Sequence, residues 1–303
     1  MDGSAEAAYR PRRVTASVRI VEAEVAATRD VVGTDARIRV DVKGTGKPLL
    51  LVHDFLSDRQ EWEMVSGRLS ERFRVLAVDL PGFGESEKPR HGQGSGRFGY
   101  DLDRFAEALV DVAGALDAAP LAVCGHGLGA AIAIALAERH PTMVERLVLV
   151  APPIYGGKPV AMARAFALPV VGATAFKQLY GRRSLAWHFG RDVFSVGKPS
   201  KERMERLFDA FNAPAAREAA VATLDALSDT RAVEARLARV SSPTLVVWGR
   251  KDTLAPAGVA RKLAKALPDA RLELLECGHS PAEEMPERFA EIALEFLSAR
   301  RKT

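Results

Sequence analysis

The chain has 303 residues and a net charge of +4, with 48% hydrophobic and 27% charged residues. This composition is typical of a globular protein with a sizeable core. The small charge and the lack of a basic stripe interleaved with aromatic residues argue against a nucleic-acid-binding protein.

The sequence also argues against a membrane or secreted protein. The longest mostly apolar stretch, residues 160–176, is interrupted by Arg164 and Pro169, so it does not predict a membrane span. The first residues lack the apolar core of a signal peptide. Cys124 and Cys277 lie in apolar surroundings and belong to no metal-binding or redox motif. We therefore expect a cytoplasmic protein with reduced thiols.

The hydrophobic pattern predicts an α/β fold. Residues 16–26 and 36–42 alternate with period two, which indicates an antiparallel strand pair. From residue 47 onward, apolar strands alternate with helices, which predicts a mostly parallel central sheet flanked by helices. The predicted strands cover residues 47–53, 73–80, 120–125, 144–152, 242–249 and 270–276. The predicted helices cover about residues 58–72, 102–117, 128–140, 257–267 and 284–300.

One interval, residues 152–235, breaks this alternation. It contains helical segments and no convincing strand. An insertion leaving the carboxyl edge of a parallel sheet lies over the usual site of ligand binding, so we predict an all-helical cap. The expected organisation is a flexible tail (1–17), a core (18–151 and 236–303) and this cap.

A glycine-rich turn, "CGHGLGA", stands between a predicted strand and an alanine-rich helix. Gly125, Gly127 and Ala130 match the dinucleotide fingerprint G-x-G-x-x-A. That fingerprint needs an acidic residue at the end of the next strand, roughly 20 residues further on, to bind the ribose. Here the next strand ends at Val150 and Ala151, which makes dinucleotide binding the weaker interpretation.

The other interpretation is a nucleophile elbow, G-x-S-x-G, in which Gly127 occupies the place of the serine. In that motif an acid and then a histidine follow along the chain. Asp252 follows the buried strand 242–249, and His279 follows the strand 270–276. The order of these residues is that of a serine, acid and histidine triad without its serine.

These residues, with "LLLVHDFLSDRQEWE" and "VLAVDLPGFGESEKP" upstream, make residues 18–300 resemble the α/β-hydrolase superfamily. The resemblance is greatest to its capped bacterial esterases, epoxide hydrolases and C–C hydrolases. It implies an α/β-hydrolase fold, with His279 as the base and Asp252 as the group that orients it. It also implies that the backbone N–H groups of Phe55 and Leu128 would bind an oxyanion.

Two departures from the family pattern fall inside the site. Gly127 rules out an acyl-serine at that position and would leave room for about one water beside His279. His53 and Asp54 stand where the family has a His-Gly pair. A carboxylate at Asp54 would oppose negative charge at the oxyanion site, unless its side chain points away. The remaining His279–Asp252 dyad is a general base, which typically contributes about 10²–10⁴ in rate.

Five residues are candidates for contacts with a substrate: His53, Asp54, His126, Tyr180 and Trp187. For three of them a structural role stays open. His126 could pack beneath the turn, and Tyr180 and Trp187 could hold the cap together.

Four functions remain open. The first is an enzyme that acts on a small, partly apolar molecule through the dyad, by direct water attack or by proton transfer of the lyase, isomerase or cyclase type. The second is an inactive small-molecule-binding protein. The third is a serine ester or C–C hydrolase carrying a Ser-to-Gly replacement at 127. The fourth is a scaffold whose cap binds a partner. We expect no cofactor and no metal, and the sequence leaves a homodimer open.

Overall fold

A mostly parallel eight-stranded sheet organises the protein. The computed structural model describes residues 26–94, 96–156 and 181–299, together with residue 174. Its strands are β1 (Ala26–Val32), β2 (Arg37–Lys43), β3 (Lys47–Val52), β4 (Phe73–Val78), β7 (Leu121–His126), β8 (Val144–Val150), β9 (Thr244–Gly249) and β10 (Ala270–Leu275). Two short strands, β5 (Arg90–His91) and β6 (Arg97–Phe98), form a separate pair. The strand order in the large sheet is β1-β2-β4-β3-β7-β8-β9-β10. The pairs β1–β2 and β2–β4 are antiparallel and the other neighbours in the sheet are parallel, which confirms the predicted fold class.

The first strand differs from the prediction. The segment that pairs with β2 is Ala26–Val32, in the register Thr28 to Asp41. Residues 16–25 lie outside the described part of the chain, as does the predicted tail 1–17. A short turn at residues 33–36 joins β1 to β2, so the nearest extended segment becomes the partner. Its sequence, AATRDVV, does not alternate with period two, so the pattern favoured the segment before it.

Helices cover the sheet. They are α1 (Glu63–Ser70), α2 (Leu102–Ala115), α3 (Leu128–Arg139), α4 (Arg182–His188), α5 (Lys201–Asn212), α6 (Ala216–Ser228), α7 (Arg231–Glu234), α8 (Ala257–Ala266), α9 (Pro281–Glu284) and α10 (Pro286–Ser298). All residues of α3 from Leu128 to Ala137 are buried, because this helix packs on β7, β8 and α2. Small alanine side chains let such a central helix approach its neighbours closely.

Within the interval 152–235, the residues that the structure describes form helices joined by short coil segments. It contains α4 to α7 and a π-helical turn at Phe189–Val193. Its residues 157–173 and 175–180, including the candidate Tyr180, lie outside the described residues. Among the helices that are described, none has the length and apolar character needed to cross a membrane.

The sheet determines where the site lies. Asp54, Gly127, Asp252 and His279 each follow the carboxyl end of a strand, namely β3, β7, β9 and β10. Because parallel strands end at the same edge of a sheet, residues far apart in sequence meet there.

Candidate active site

His279 and Asp252 form a buried hydrogen-bonded pair. His279 Nδ1 lies 2.8 Å from Asp252 Oδ2. The other oxygen of Asp252 accepts hydrogen bonds from the backbone N–H groups of Leu254 (2.8 Å) and Ala255 (3.0 Å). These bonds fix the carboxylate, and the carboxylate fixes the imidazole ring. His279 Nε2 is therefore the nitrogen that faces the candidate pocket.

The glycine turn has the conformation of a sharp strand-to-helix elbow. Gly127 has φ 48° and ψ −114°, a backbone conformation that residues other than glycine rarely adopt. Its N–H donates to the carbonyl of Val150 at 2.9 Å. A Cβ on Gly129 would overlap the carbonyl of Val52, so the turn packs against β3 only because that residue is glycine. The backbone of an elbow is thus present around a residue without a side chain.

The carboxylate of Asp54 lies directly over Gly127. A Cβ added to Gly127 would overlap that carboxylate. Asp54 Oδ1 accepts a hydrogen bond from the N–H of Leu128 at 2.7 Å, and Oδ2 lies 3.3 Å from His279 Nε2. The space expected to hold a water is therefore occupied by a carboxylate. The Leu128 N–H expected to bind an oxyanion binds Asp54 instead, and the alternative in which Asp54 points away is wrong.

These groups favour an imidazolium between two carboxylates. Burial by itself would lower the pKa of His279, but the charge and hydrogen bond of Asp252 and the contact with Asp54 raise it well above its ordinary value. Burial by itself would raise the pKa of Asp54. The hydrogen bond with His279, the charges of His126 and His279, and the N–H of Leu128 together hold it well below its usual range. The pKa of Asp252 is lowered because the charge and hydrogen bond of His279 outweigh its burial.

We expect Asp54→Asn to lower the pKa of His279, because the substitution removes one of the two negative charges that favour the imidazolium. The amide oxygen can still accept from Leu128, so the loop should keep its shape. The measurement is an NMR titration of the imidazole resonances, with the exposed Glu63→Gln as the matched control. An unchanged His279 titration in Asp54→Asn would contradict the ion pair.

A second buried pair lies beneath the site. Glu61 contacts His126 Nδ1 through one carboxylate oxygen, and its other oxygen accepts from the N–H of Asp54 at 3.1 Å. His126 Nε2 lies 2.8 Å from the carbonyl of His279. Both ring nitrogens of His126 are thus used inside the protein, so His126 positions the loops that carry Asp54 and His279 rather than contacting a substrate. Sequence reasoning missed Glu61, whose one signal was its position soon after β3.

A buried arginine from the helical interval also reaches this region. Arg203 in α5 contacts Asp58 (3.4 Å), Ser57 (3.1 Å) and Glu283 (3.2 Å). Burial and the charge of nearby Glu61 raise the pKa of Glu283 to about 7, although Arg203 opposes this shift. Sequence reasoning missed Arg203 and Glu283, because neither lies in a motif.

Two more of the predicted substrate contacts are not placed at the pocket. His53 is fully buried; its Nε2 accepts from Leu80 N–H at 3.0 Å, so its Nδ1 carries the proton and donates to the carbonyl of Asp54 at 2.7 Å. His53 therefore shapes the loop after β3. Trp187 is 56% exposed, with the Arg191 guanidinium 4.6 Å above its ring. Successive helical residues point about 100° apart, and it is the neighbouring His188 that faces the pocket.

The pocket has a polar base and mostly apolar walls. Its base is formed by Asp54, Gly127 and His279, and Phe55 stands beside them. The pKa of His188, in the wall, is lowered by burial. The remaining lining residues are Leu128, Ala151, Pro153, Gly156, Leu224, Leu227, Leu254 and Ala255. Such a cavity suits a small and partly apolar molecule.

Asp54, His126 and His279 are the residues, within the described chain, whose ligand atoms come close enough together to hold a metal ion, all within 4.8 Å. In each histidine, however, one ring nitrogen faces a carboxylate at hydrogen-bonding distance and the other faces an oxygen atom of the protein. Ligation would require breaking one of these contacts. The absence of a metal and of a cofactor stays a prediction.

The comparisons with known proteins agree with this architecture. The chain is 31% identical to a pimeloyl-[acyl-carrier protein] methyl ester esterase of Nitrosomonas europaea, over 84% of this chain and 97% of that protein. It is 30% identical to a 2-hydroxymuconate semialdehyde hydrolase of Pseudomonas putida, over 89% and 94%. The crystal structure of a hydrolase from Pseudomonas aeruginosa superposes with a TM-score of 0.75 at 25% identity, over 92% of this chain and all of that one.

The profile of the alpha/beta hydrolase family matches residues 49–292. This range begins in β3 and ends in α10, so it contains the whole candidate site. The sheet order and the elbow between β7 and α3 also fit the resemblance inferred from the sequence. The chain belongs to the alpha/beta hydrolase family.

Proposed function

We propose that this protein is an enzyme that transforms a small, partly apolar molecule without a serine nucleophile, with His279 and Asp252 transferring the proton. The observation that carries the proposal is the buried His279–Asp252 hydrogen bond at the base of a mostly apolar pocket. Gly127, at the elbow, offers no side chain to this imidazole. The proton chemistry of the dyad is therefore available to a substrate.

The protonation state determines the order of the steps. His279 rests as an imidazolium held by Asp252 and Asp54, so its first act is to donate a proton from Nε2. Once neutral, it can take a proton back from water or from the substrate, while Asp252 keeps the ring oriented. General acid–base catalysis of this kind contributes about 10²–10⁴ in rate. The hydrolase homologues support hydrolysis over the other proton-transfer reactions.

One observation favours an alternative, an inactive small-molecule-binding protein. The N–H of Leu128, which the family resemblance assigns to the oxyanion, is already occupied by Asp54. The same contact weighs against a simple Ser-to-Gly replacement, because a side chain at 127 would overlap Asp54.

The test is turnover. We expect wild-type protein to consume a component of a small-molecule metabolite extract, followed by mass spectrometry, and His279→Gln to do so about 10²–10⁴ times more slowly. His91→Gln, at an exposed histidine, is the matched control and should behave as wild type. Retention of a small molecule without turnover would favour the binding protein. Unchanged turnover in His279→Gln, or a stoichiometric fluorophosphonate adduct on a serine, would contradict the proposal.

A further inference from the structure

The two oxygens of the Asp54 carboxylate have different surroundings. Oδ1 is anchored by the N–H of Leu128 at 2.7 Å. Oδ2 lies 3.3 Å from His279 Nε2, and the side chain is 19% exposed, at the base of the pocket. One oxygen is thus held by the backbone and the other is presented beside the proton donor.

This is the arrangement that a carboxylate nucleophile needs. The less tethered oxygen can attack a substrate in the pocket and become the bridging atom of an ester. The anchored oxygen then becomes the carbonyl oxygen of that ester. When water later attacks the ester, negative charge develops on the anchored oxygen, where the N–H of Leu128 stabilises it.

We propose that Asp54, reaching over Gly127 from the loop after β3, is the covalent nucleophile of this enzyme, and that its substrate is a small, partly apolar epoxide. The inference rests on the proposed function, since it uses His279 as the proton carrier. The imidazolium favours a leaving oxygen that must be protonated, whereas a halide would need no proton. A carboxylic ester substrate is disfavoured, because the N–H of Leu128 already binds Asp54 and not a substrate oxygen.

The reaction has two stages, the formation of an ester on Asp54 and the hydrolysis of that ester. Oδ2 attacks an epoxide carbon, the C–O bond of the ring breaks, and the released oxygen takes the proton from His279 Nε2. Neutral His279 then takes a proton from water, whose oxygen adds to Cγ of Asp54. The intermediate expels the diol oxygen, which takes that proton from His279. The proton left on the Asp54 carboxyl returns to His279, and the sum is water plus epoxide giving a diol.

The origin of the oxygen atoms tests this inference. Excess wild-type enzyme is given p-nitrophenyl glycidyl ether in H₂¹⁸O for a single turnover, and the diol and the Asp54 peptide are analysed by mass spectrometry. We expect the heavy oxygen in the carboxylate of Asp54 and not in the first diol. Heavy oxygen in the first diol and none in Asp54 would mean direct water attack, which overturns the nucleophile and leaves the proposed function standing. If the enzyme shows neither turnover of the glycidyl ether nor a covalent adduct, the epoxide is not its substrate and the inference is overturned.

Variants separate the two proposals. Asp54→Asn should lose both turnover of the glycidyl ether and any covalent adduct, while its thermal unfolding stays close to wild type. Glu63→Gln removes an exposed carboxylate instead and should retain both. Full turnover by Asp54→Asn would refute the nucleophile. Full turnover by His279→Gln would refute the proposed function, whatever Asp54 does.

Discussion

The double variant Gly127→Ser with Asp54→Gly is expected to hydrolyse p-nitrophenyl esters about 10²–10³ times faster than Gly127→Ser alone. In the single variant the new side chain would overlap the Asp54 carboxylate, so the hydroxyl cannot settle beside His279. Removing Asp54 frees that space and also frees the N–H of Leu128 for an ester oxyanion. It removes a charge that keeps His279 protonated as well, which lets the imidazole act as a base.

Wild type, Gly127→Ser, Asp54→Gly and the double variant are compared by their initial rates on a panel of p-nitrophenyl esters. Asp54→Gly alone is the control, since it opens the site without adding a nucleophile, and it should stay near background. Esterase activity in Gly127→Ser equal to that of the double variant would show that Asp54 does not obstruct the elbow.

Arg203→Met is expected to destabilise the protein by about 3–5 kcal/mol, which is typical when one partner of a buried ion pair is removed. The guanidinium is buried against Asp58 and Glu283. Methionine can fill part of the volume but leaves both carboxylates without their cation. Arg206→Met on the same helix is the matched control. Its side chain is 43% exposed and lies 3.7 Å from Glu63, so the change should stay within about 0.5 kcal/mol.

The cost of Arg203→Met should grow with pH. The pKa of Glu283 in the folded protein, about 7, is already above its ordinary value of 4.5, and removing the cation raises it further. A raised carboxyl pKa opposes folding increasingly as pH rises from the unfolded value to the folded one. Denaturant unfolding at pH 5 and at pH 8 measures the difference. A cost that does not increase with pH, or one equal to that of Arg206→Met, would contradict the buried ion pair.

The sequence by itself determined the fold class and the order of Gly127, Asp252 and His279. Burial on both faces makes the central strands continuous apolar runs, and the helices between them carry their own period. Parallel strands end at one edge, so residues that follow them can be assigned to one site without coordinates. The first strand was placed about ten residues too early, because residues 16–26 alternate with period two while the strand itself, Ala26–Val32, does not.

Only the tertiary structure decided what the site contains. Whether Asp54 points into the elbow depends on Leu128, at the start of α3, and on His279, in the loop after β10. Glu61 and His126 are 65 positions apart and pair only after β3 and β7 have aligned. Arg203 comes from a helix 80 positions before Glu283. Buried charges are tolerated where distant partners neutralise them, and no local period in a sequence records that distance.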